Sequence, residues 1–315
     1  MKSINTHLVL KFAMTPNVLV AGSIGLDDVK TPFGEVKGEI GGSGIFASLA
    51  CSIFSKTALM GIIGADFPLE KLKILENKKI DLSAIQKSSK PNMRWVAHYD
   101  FDVNVAHTDS FASNSLDDLS GSVPQNLKNI KYAFLGNFSP SKQKSILNSF
   151  EKKPILAISD TMNYYIGSER EGVLDMVKYA DIALMNDAEA RQLFNTPNLV
   201  VAAKEIIKLD SNYAIIKKGE HGCVLFSKYG YFSCPGYPLE NVKDPTGCGD
   251  SFAGSLIGYL ASTEDFSEKN MRKAIVVASA VASFNAESFS FYKLAEITKK
   301  DVMNRVKEFK EFSKF

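Results

Sequence analysis

Eight residues carry the most chemical information in this chain: Asp244-Pro245-Thr246-Gly247-Cys248-Gly249-Asp250-Ser251, followed by F-A-G-S-L-I-G-Y-L. Two glycines around a small residue permit a tight turn with bare backbone N–H groups. The stretch behind them reads as an amphipathic helix. A glycine-rich turn at a helix N-terminus favours anions, because unpaired N–H groups and the helix dipole both attract negative charge. Asp250 stands at that same helix start. A carboxylate inside an anion site can take the proton of a hydroxyl as its oxygen attacks a phosphoryl group. The amides of Gly247, Cys248 and Gly249 would then stabilise charge on the group in transfer. The plainer reading makes Asp250 an N-terminal cap on an ordinary turn.

Other nucleotide and nucleophile motifs are missing. There is no G-x-x-x-x-G-K-[ST], and Gly247, Gly249 and Gly254 miss the G-x-G-x-x-G spacing. No G-x-S-x-G elbow occurs. The four cysteines (Cys51, Cys223, Cys234, Cys248) form no C-x-x-C pair, and the four histidines show no ligand spacing. They read as thiols in a reducing compartment, with no thiol or imidazole metal centre. A helix N-terminus lowers a thiol pKa, so Cys248 is expected to be sensitive to alkylation, more so than Cys51.

The elements that must position this motif follow from apolar periodicity. Short apolar runs at 17–22, 57–64, 132–135, 155–158, 182–185, 213–217 and 222–226 read as buried strands. Helical patterns lie at 43–54, 69–78, 141–150, 167–179, 188–194 and 199–209. Strands alternating with helices imply a mainly parallel sheet covered on both faces. The last third is helical, at 251–260, 267–284 and 298–312. Residues 28–40 and 93–111 break the rhythm and read as antiparallel strands outside that sheet, with a hairpin tip at Asp102 to Asn104.

Length and charge narrow the class. The 315 residues, 45% of them hydrophobic, suffice for one large α/β body with an elaboration. Lys and Arg number 37 against 35 Asp and Glu, a net +2, which argues against a nucleic-acid binder. The longest apolar run, Ala274 to Phe284, is shorter than the ~18 residues a membrane span needs. The N-terminal apolar stretch, Leu8 to Leu10, is too short for a signal-peptide core. The chain reads as soluble and cytoplasmic.

The motif D-P-T-G-C-G-D-S-F-A-G resembles the C-terminal signature of the ribokinase, or phosphofructokinase-B (PfkB), family. Further segments resemble that family in the same order. They are Gly22-Ser23-Ile24-Gly25-Leu26-Asp27, Gly41-Gly42-Ser43-Gly44, Gly61 to Asp66, Asn186-Asp187-Ala188-Glu189 and Lys217-Lys218-Gly219-Glu220-His221-Gly222. The resemblance spans roughly residues 17 to 290 and implies an α/β fold, a ribokinase-like three-layer αβα sandwich with a mainly parallel central sheet and a small β-sheet lid. Residues 14–315 would form the kinase domain, with 28–40 and 93–111 as the lid and 1–13 as an extension outside the fold.

The activity implied is transfer of the γ-phosphoryl group of ATP to an alcohol of a sugar or sugar-like molecule. A nucleoside acceptor, or a catalytically silent sensor on the same fold, are the alternatives. The resemblance makes Asp250 the base, and Gly247, Cys248 and Gly249 the anion hole. It assigns Asp27, Gly41, Gly42 and Phe46 to the acceptor. Lys217, Gly219, Gly222, Thr246 and Asn186 are assigned to ATP, and Asn186 with Glu189 to Mg²⁺ through water. A monovalent cation near Asp244 and Thr246, and a homodimer formed through the lid, stay open. Lid closure would exclude water as a competing acceptor. Trp95, Tyr99 and Phe101 would line the closed site or pack the lid.

One position departs from the family pattern. Phe46 stands where many members carry an asparagine that grips sugar hydroxyls. A ring cannot make those bonds; it can stack on a flat group or pack in the core.

Overall fold

A computed structural model describes residues 15–314. The expected N-terminal extension, 1–13, lies outside the described residues. Thirteen strands occur among these. They are β1 (Val18–Ala21), β2 (Gly25–Thr31), β3 (Gly34–Gly41), β4 (Thr57–Ile63), β5 (Asp81–Lys87), β6 (Met93–Tyr99), β7 (Ala106–Ala112), β8 (Tyr132–Leu135), β9 (Leu156–Ser159), β10 (Ile182–Asn186), β11 (Tyr213–Lys217), β12 (Cys223–Ser227) and β13 (Gly230–Cys234). Nine of them form one sheet in the order β13-β12-β11-β10-β9-β8-β1-β4-β5. From β5 to β11 every pairing is parallel, and β12 and β13 close that edge antiparallel.

Alternation along the strands sends successive side chains to opposite helix layers. Val18 and Val20 join the core built with helices Ser43–Ser52, Cys248–Thr263, Glu268–Asn285 and Lys299–Phe312. Leu19 and Ala21 face the other side, with Ile146 and Leu147 of helix Pro140–Asn148. Helices Arg170–Tyr179, Asp187–Phe194 and Leu199–Lys208 cover the rest of that second face over β10 and β11.

The remaining strands form a separate sheet, β3-β2-β6-β7. The stretches 28–40 and 93–111 fall within it. The two hairpins are antiparallel as expected, but β2 and β6 pair parallel, so this sheet is mixed. The reason is topological. The chain leaves the small sheet after β3, runs through helix Ser43–Ser52, β4 and β5, and re-enters in the same direction.

Other differences are local. The helix expected at 167–179 divides at Glu169, whose backbone (φ −135°, ψ 41°) leaves the helical region. The 69–78 segment divides into a 3₁₀ turn, Leu69–Leu72, and a short helix, Lys73–Asn77. β5 and β13 carry too few contiguous apolar residues to read as buried strands; both are sheet edges. No helix among the described residues is long and apolar enough to cross a membrane.

Candidate active site

The sheet order places the chemistry. The chain reverses its direction of growth between β1 and β8, and in open α/β sheets ligands bind outside the carboxyl ends of the strands at such a point. Three adjacent parallel strands deliver polar residues to that edge. β9 runs directly into Asp160, β10 ends in Asn186 and β11 ends in Lys217, the last two being register partners. Lys217 Nζ bonds Asp160 Oδ2 at 2.7 Å, with both side chains largely buried. Burial alone would lower the Lys217 pKa, but Asp160, Glu189 and Asp250 outweigh it and hold the ammonium above its ordinary range. Asp160 is absent from the motif-based set. Its only sequence signal is an aspartate one residue beyond the apolar run Leu156 to Ile158, after Ser159.

Asn186 and Glu189 form a capping box on helix Asp187–Phe194. Asn186 N donates to Glu189 Oε2 at 2.7 Å, and Glu189 N to Asn186 Oδ1 at 2.8 Å. The cap holds the Glu189 carboxylate at the strand edge. Burial, and then the charge of Asp160, push that carboxyl up.

The signature turn sits across from these strand ends. Gly247 caps helix Cys248–Thr263 with φ +76°, a conformation that favours glycine. A Cβ at Gly247 would lie 2.3 Å from the Phe46 ring, so the turn rests directly on that ring. A Cβ at Gly249 would lie 3.1 Å from Lys217 Nζ. The amides of Gly247 and Gly249 have no acceptor among the described residues. The Cys248 amide, by contrast, donates to Pro245 O at 3.1 Å, so two of the three expected donors are free.

Asp250 lies in the first turn of the helix. Loss of hydration, and then the negative charge of Asp160, push its carboxyl up to about 7, while Lys217 opposes both. Cys248 corrects an expectation. Its thiol turns inward toward Ala282 O and Asn285, and burial pushes it up to about 12, as it does Cys51. Desolvation outweighs the helix dipole and keeps this thiol protonated, although Cys248 is half-buried where Cys51 is fully buried.

Asp27 enters from the small sheet. Its Oδ1 is buried without a partner among the described residues, and Gly42 N–H donates to the carboxylate. Burial, followed by the charge of Asp244, pushes it up to about 8, and Asp250 adds to the effect. Gly41 admits this carboxylate, since a Cβ there would come within 1.9 Å of Asp27 Oδ2. Phe46 is the second correction. The ring is 2% exposed and supports Gly247 from below, so it offers no face to an acceptor.

Three contacts tie the small sheet to the signature side of the cleft. Thr31 Oγ1 donates to Lys243 O at 2.9 Å, and Tyr99 OH lies 3.2 Å from Thr246 Oγ1. At the hairpin tip, Asn104 Oδ1 accepts from Glu220 N at 2.9 Å, in the turn Gly219–His221. Asn104 Nδ2 donates to Glu220 Oε1 at 2.9 Å. Gly219 and Gly222 (φ +56° and +76°) thus shape a turn that the tip of the β6–β7 hairpin touches. Tyr99 packs and bonds inside, whereas Phe101 is 98% exposed at the tip. Thr246 and Asp244 are mainly structural bonds of the turn. Asp244 Oδ1 accepts from Thr246 N, Asp244 Oδ2 from Ser290 N, and Thr246 O from Asn285 Nδ2. Asp66 Oδ1 accepts from Asn92 N at 2.6 Å and fixes the start of β6.

The fold is shared with known proteins. The model of the pfkB family carbohydrate kinases matches residues 13–296. The cytidine kinase of Thermococcus kodakarensis is 24% identical over 250 residues, 77% of this chain and 88% of that protein. A nucleoside kinase of Burkholderia thailandensis, solved with inosine, superposes with a TM-score of 0.76 at 19% identity, covering 92% of this chain and 97% of that one. A putative ribokinase II from E. coli gives 0.77 at 17% identity, covering 93% and 99%. The fold is therefore ribokinase-like. Kinases of this family use ATP, typically with Mg²⁺, and act on nucleosides or sugars. With the family model matching nearly the whole described chain, the chain belongs to the pfkB family of carbohydrate kinases, phosphotransferases with an alcohol acceptor.

Proposed function

We propose that Asp250 is the general base for transfer of the γ-phosphoryl group of ATP to a hydroxyl of a small sugar or nucleoside. One observation carries this reading: a carboxyl pushed up to about 7 stands in the first turn of a helix at whose start the Gly247 and Gly249 amides are free. Asp250 takes the hydroxyl proton as the oxygen attacks phosphorus, and the bond to the leaving ADP oxygen breaks. Gly247 and Gly249 amides, with Lys217 beside Gly249, face the charge that develops on the phosphoryl oxygens. Asp27, with Gly41 and Gly42, holds acceptor hydroxyls.

Mg²⁺, when bound, neutralises phosphate charge. The donor set suits an ion held through water and phosphate oxygens, since the described residues contain no cluster of three or more His, Cys, Asp or Glu able to hold a metal. Asn186 and Glu189 would orient those waters from the strand edge. The names of the similar kinases favour a nucleoside acceptor alongside the sugar one.

An ATP-coupled assay across ribose, fructose, inositol, adenosine and cytidine tests the reading. At least one should be phosphorylated, and ADP release without any acceptor dependence would count against it. The Asn104 contact adds a second test. Gly219 and Gly222 shape the turn that would lie near the nucleotide. Asn104→Ala removes the bonds to Glu220, each net worth about 0.5–1.5 kcal/mol. The KM for ATP should rise roughly two- to tenfold. An unchanged value would show that the lid tip does not act on nucleotide binding.

A further inference from the structure

The inner face of the small sheet carries a row of side chains of which the proposed phosphoryl transfer uses only Asp27. Asp27, Trp95 and Phe111 are lateral register partners on β2, β6 and β7. Lateral partners share one face of a sheet. In β6 that face is the one from which Tyr99 reaches Thr246, so the row looks into the cleft. The row then continues onto the body. The Phe111 ring lies 6.0 Å from Tyr164, and Tyr164 meets Tyr165 edge-on at 5.2 Å. Tyr164 sits on helix Asn163–Ser168, just past Asp160.

One end of the row is polar and the rest is aromatic. Asp27 Oδ1 is buried and unpartnered, and a ligand hydroxyl would satisfy it. Trp95 and Phe111 are half-buried and Tyr164 is 57% exposed. Trp95 Nε1 donates to Thr108 Oγ1 at 3.1 Å, which pins the ring edge and leaves its faces for contact. Two strand spacings, about 10 Å in all, separate Asp27 from Phe111. A bare sugar held at Asp27 would leave the aromatic end in water. A sugar bearing a flat heterocycle covers both ends.

We infer that Trp95, Phe111 and Tyr164 form a stacking subsite for the heterocycle of a nucleoside, which makes a nucleoside the preferred acceptor over a free sugar. The inference rests on the kinase reading above and narrows it. Planar bases stack on such rings, and losing one ring weakens binding about tenfold.

The chain has one tryptophan, Trp95, so intrinsic fluorescence reports this subsite directly. The full-length protein is titrated with purine and pyrimidine nucleosides and, separately, with ribose and fructose. A saturable change in Trp95 emission is expected with at least one nucleoside, and none with either sugar at the same concentration. Tyr164→Ala, at an exposed position, and Trp95→Leu should each raise the KM for that nucleoside about tenfold, with the KM for ATP unchanged. Trp95→Phe should recover most of the loss. Equal emission changes with sugars, no change with any nucleoside, or an unaltered nucleoside KM in Trp95→Leu would each overturn the subsite. Phosphorylation of free sugars alone would also sink it and leave the kinase reading standing. Nucleoside-dependent quenching with no phosphorylated alcohol at all would do the reverse.

Discussion

Replacing Asp250 with asparagine is expected to lower turnover by a factor of roughly 10²–10⁴, the usual worth of a positioned general base. Asparagine keeps the size and the helix-start position but cannot accept a proton. ATP affinity should survive, because the free amides of Gly247 and Gly249 and the Lys217 ammonium are untouched. The pH profile gives the same test in the native protein. A base works deprotonated, and the Asp250 carboxyl is pushed up to about 7. Activity should therefore climb as pH rises through about 7, level off above it and fall away below. Asp27, pushed up to about 8, also contributes to kcat/KM. With acceptor saturating and Asp27 covered, the limb in kcat belongs to Asp250. Wild-type turnover in Asp250→Asn, or a kcat flat across this range, would remove Asp250 from the role.

Phe46→Ala should cost about 3–5 kcal/mol of stability, the range for truncating a fully buried aromatic side chain. The ring is 2% exposed and fills the space directly beneath Gly247. Its loss leaves a cavity under the turn that presents the free amides. Turnover should fall with stability, because the turn then lacks its floor. Denaturant unfolding at unchanged slope, followed by kinetics at a temperature where both forms are folded, separates the effects. Native-like stability with a raised acceptor KM would mean that the ring touches the acceptor after all.

These two residues mark how far local information reaches. The Asp244 to Ser251 motif announces its own conformation. The tight turn needs glycine at positive φ, the small residues behind it form a helix, and helix starts expose amides. All of that follows from neighbours along the chain. The same holds for the Asn186 and Glu189 capping box and for the alternation that marks Val18 to Ala21 as a central strand. The mainly parallel sheet was readable for a similar reason, since buried strands separated by helices admit few other arrangements.

Phe46 shows the opposite case. An aromatic residue on a helix of small residues can face a ligand or a neighbouring turn, and only the packing of helix Ser43–Ser52 against Gly247 decides. Cys248 was misread because dipole and burial act in opposite directions, and burial depends on Ala282 and Asn285 from another helix. Asp160 became a site residue only when sheet order set β9 beside β10, one strand away from β11. Tyr99 reaches Thr246 across 147 positions, and Asn104 reaches Glu220 across 116. The period-two pattern of β2 and β6 is identical for parallel and antiparallel partners, so their direction came from the route of the chain between them. The chemistry of single residues and short turns is local and was written in the chain. The company each side chain keeps is set by strand order, register and helix packing, which bring together residues that no local pattern relates.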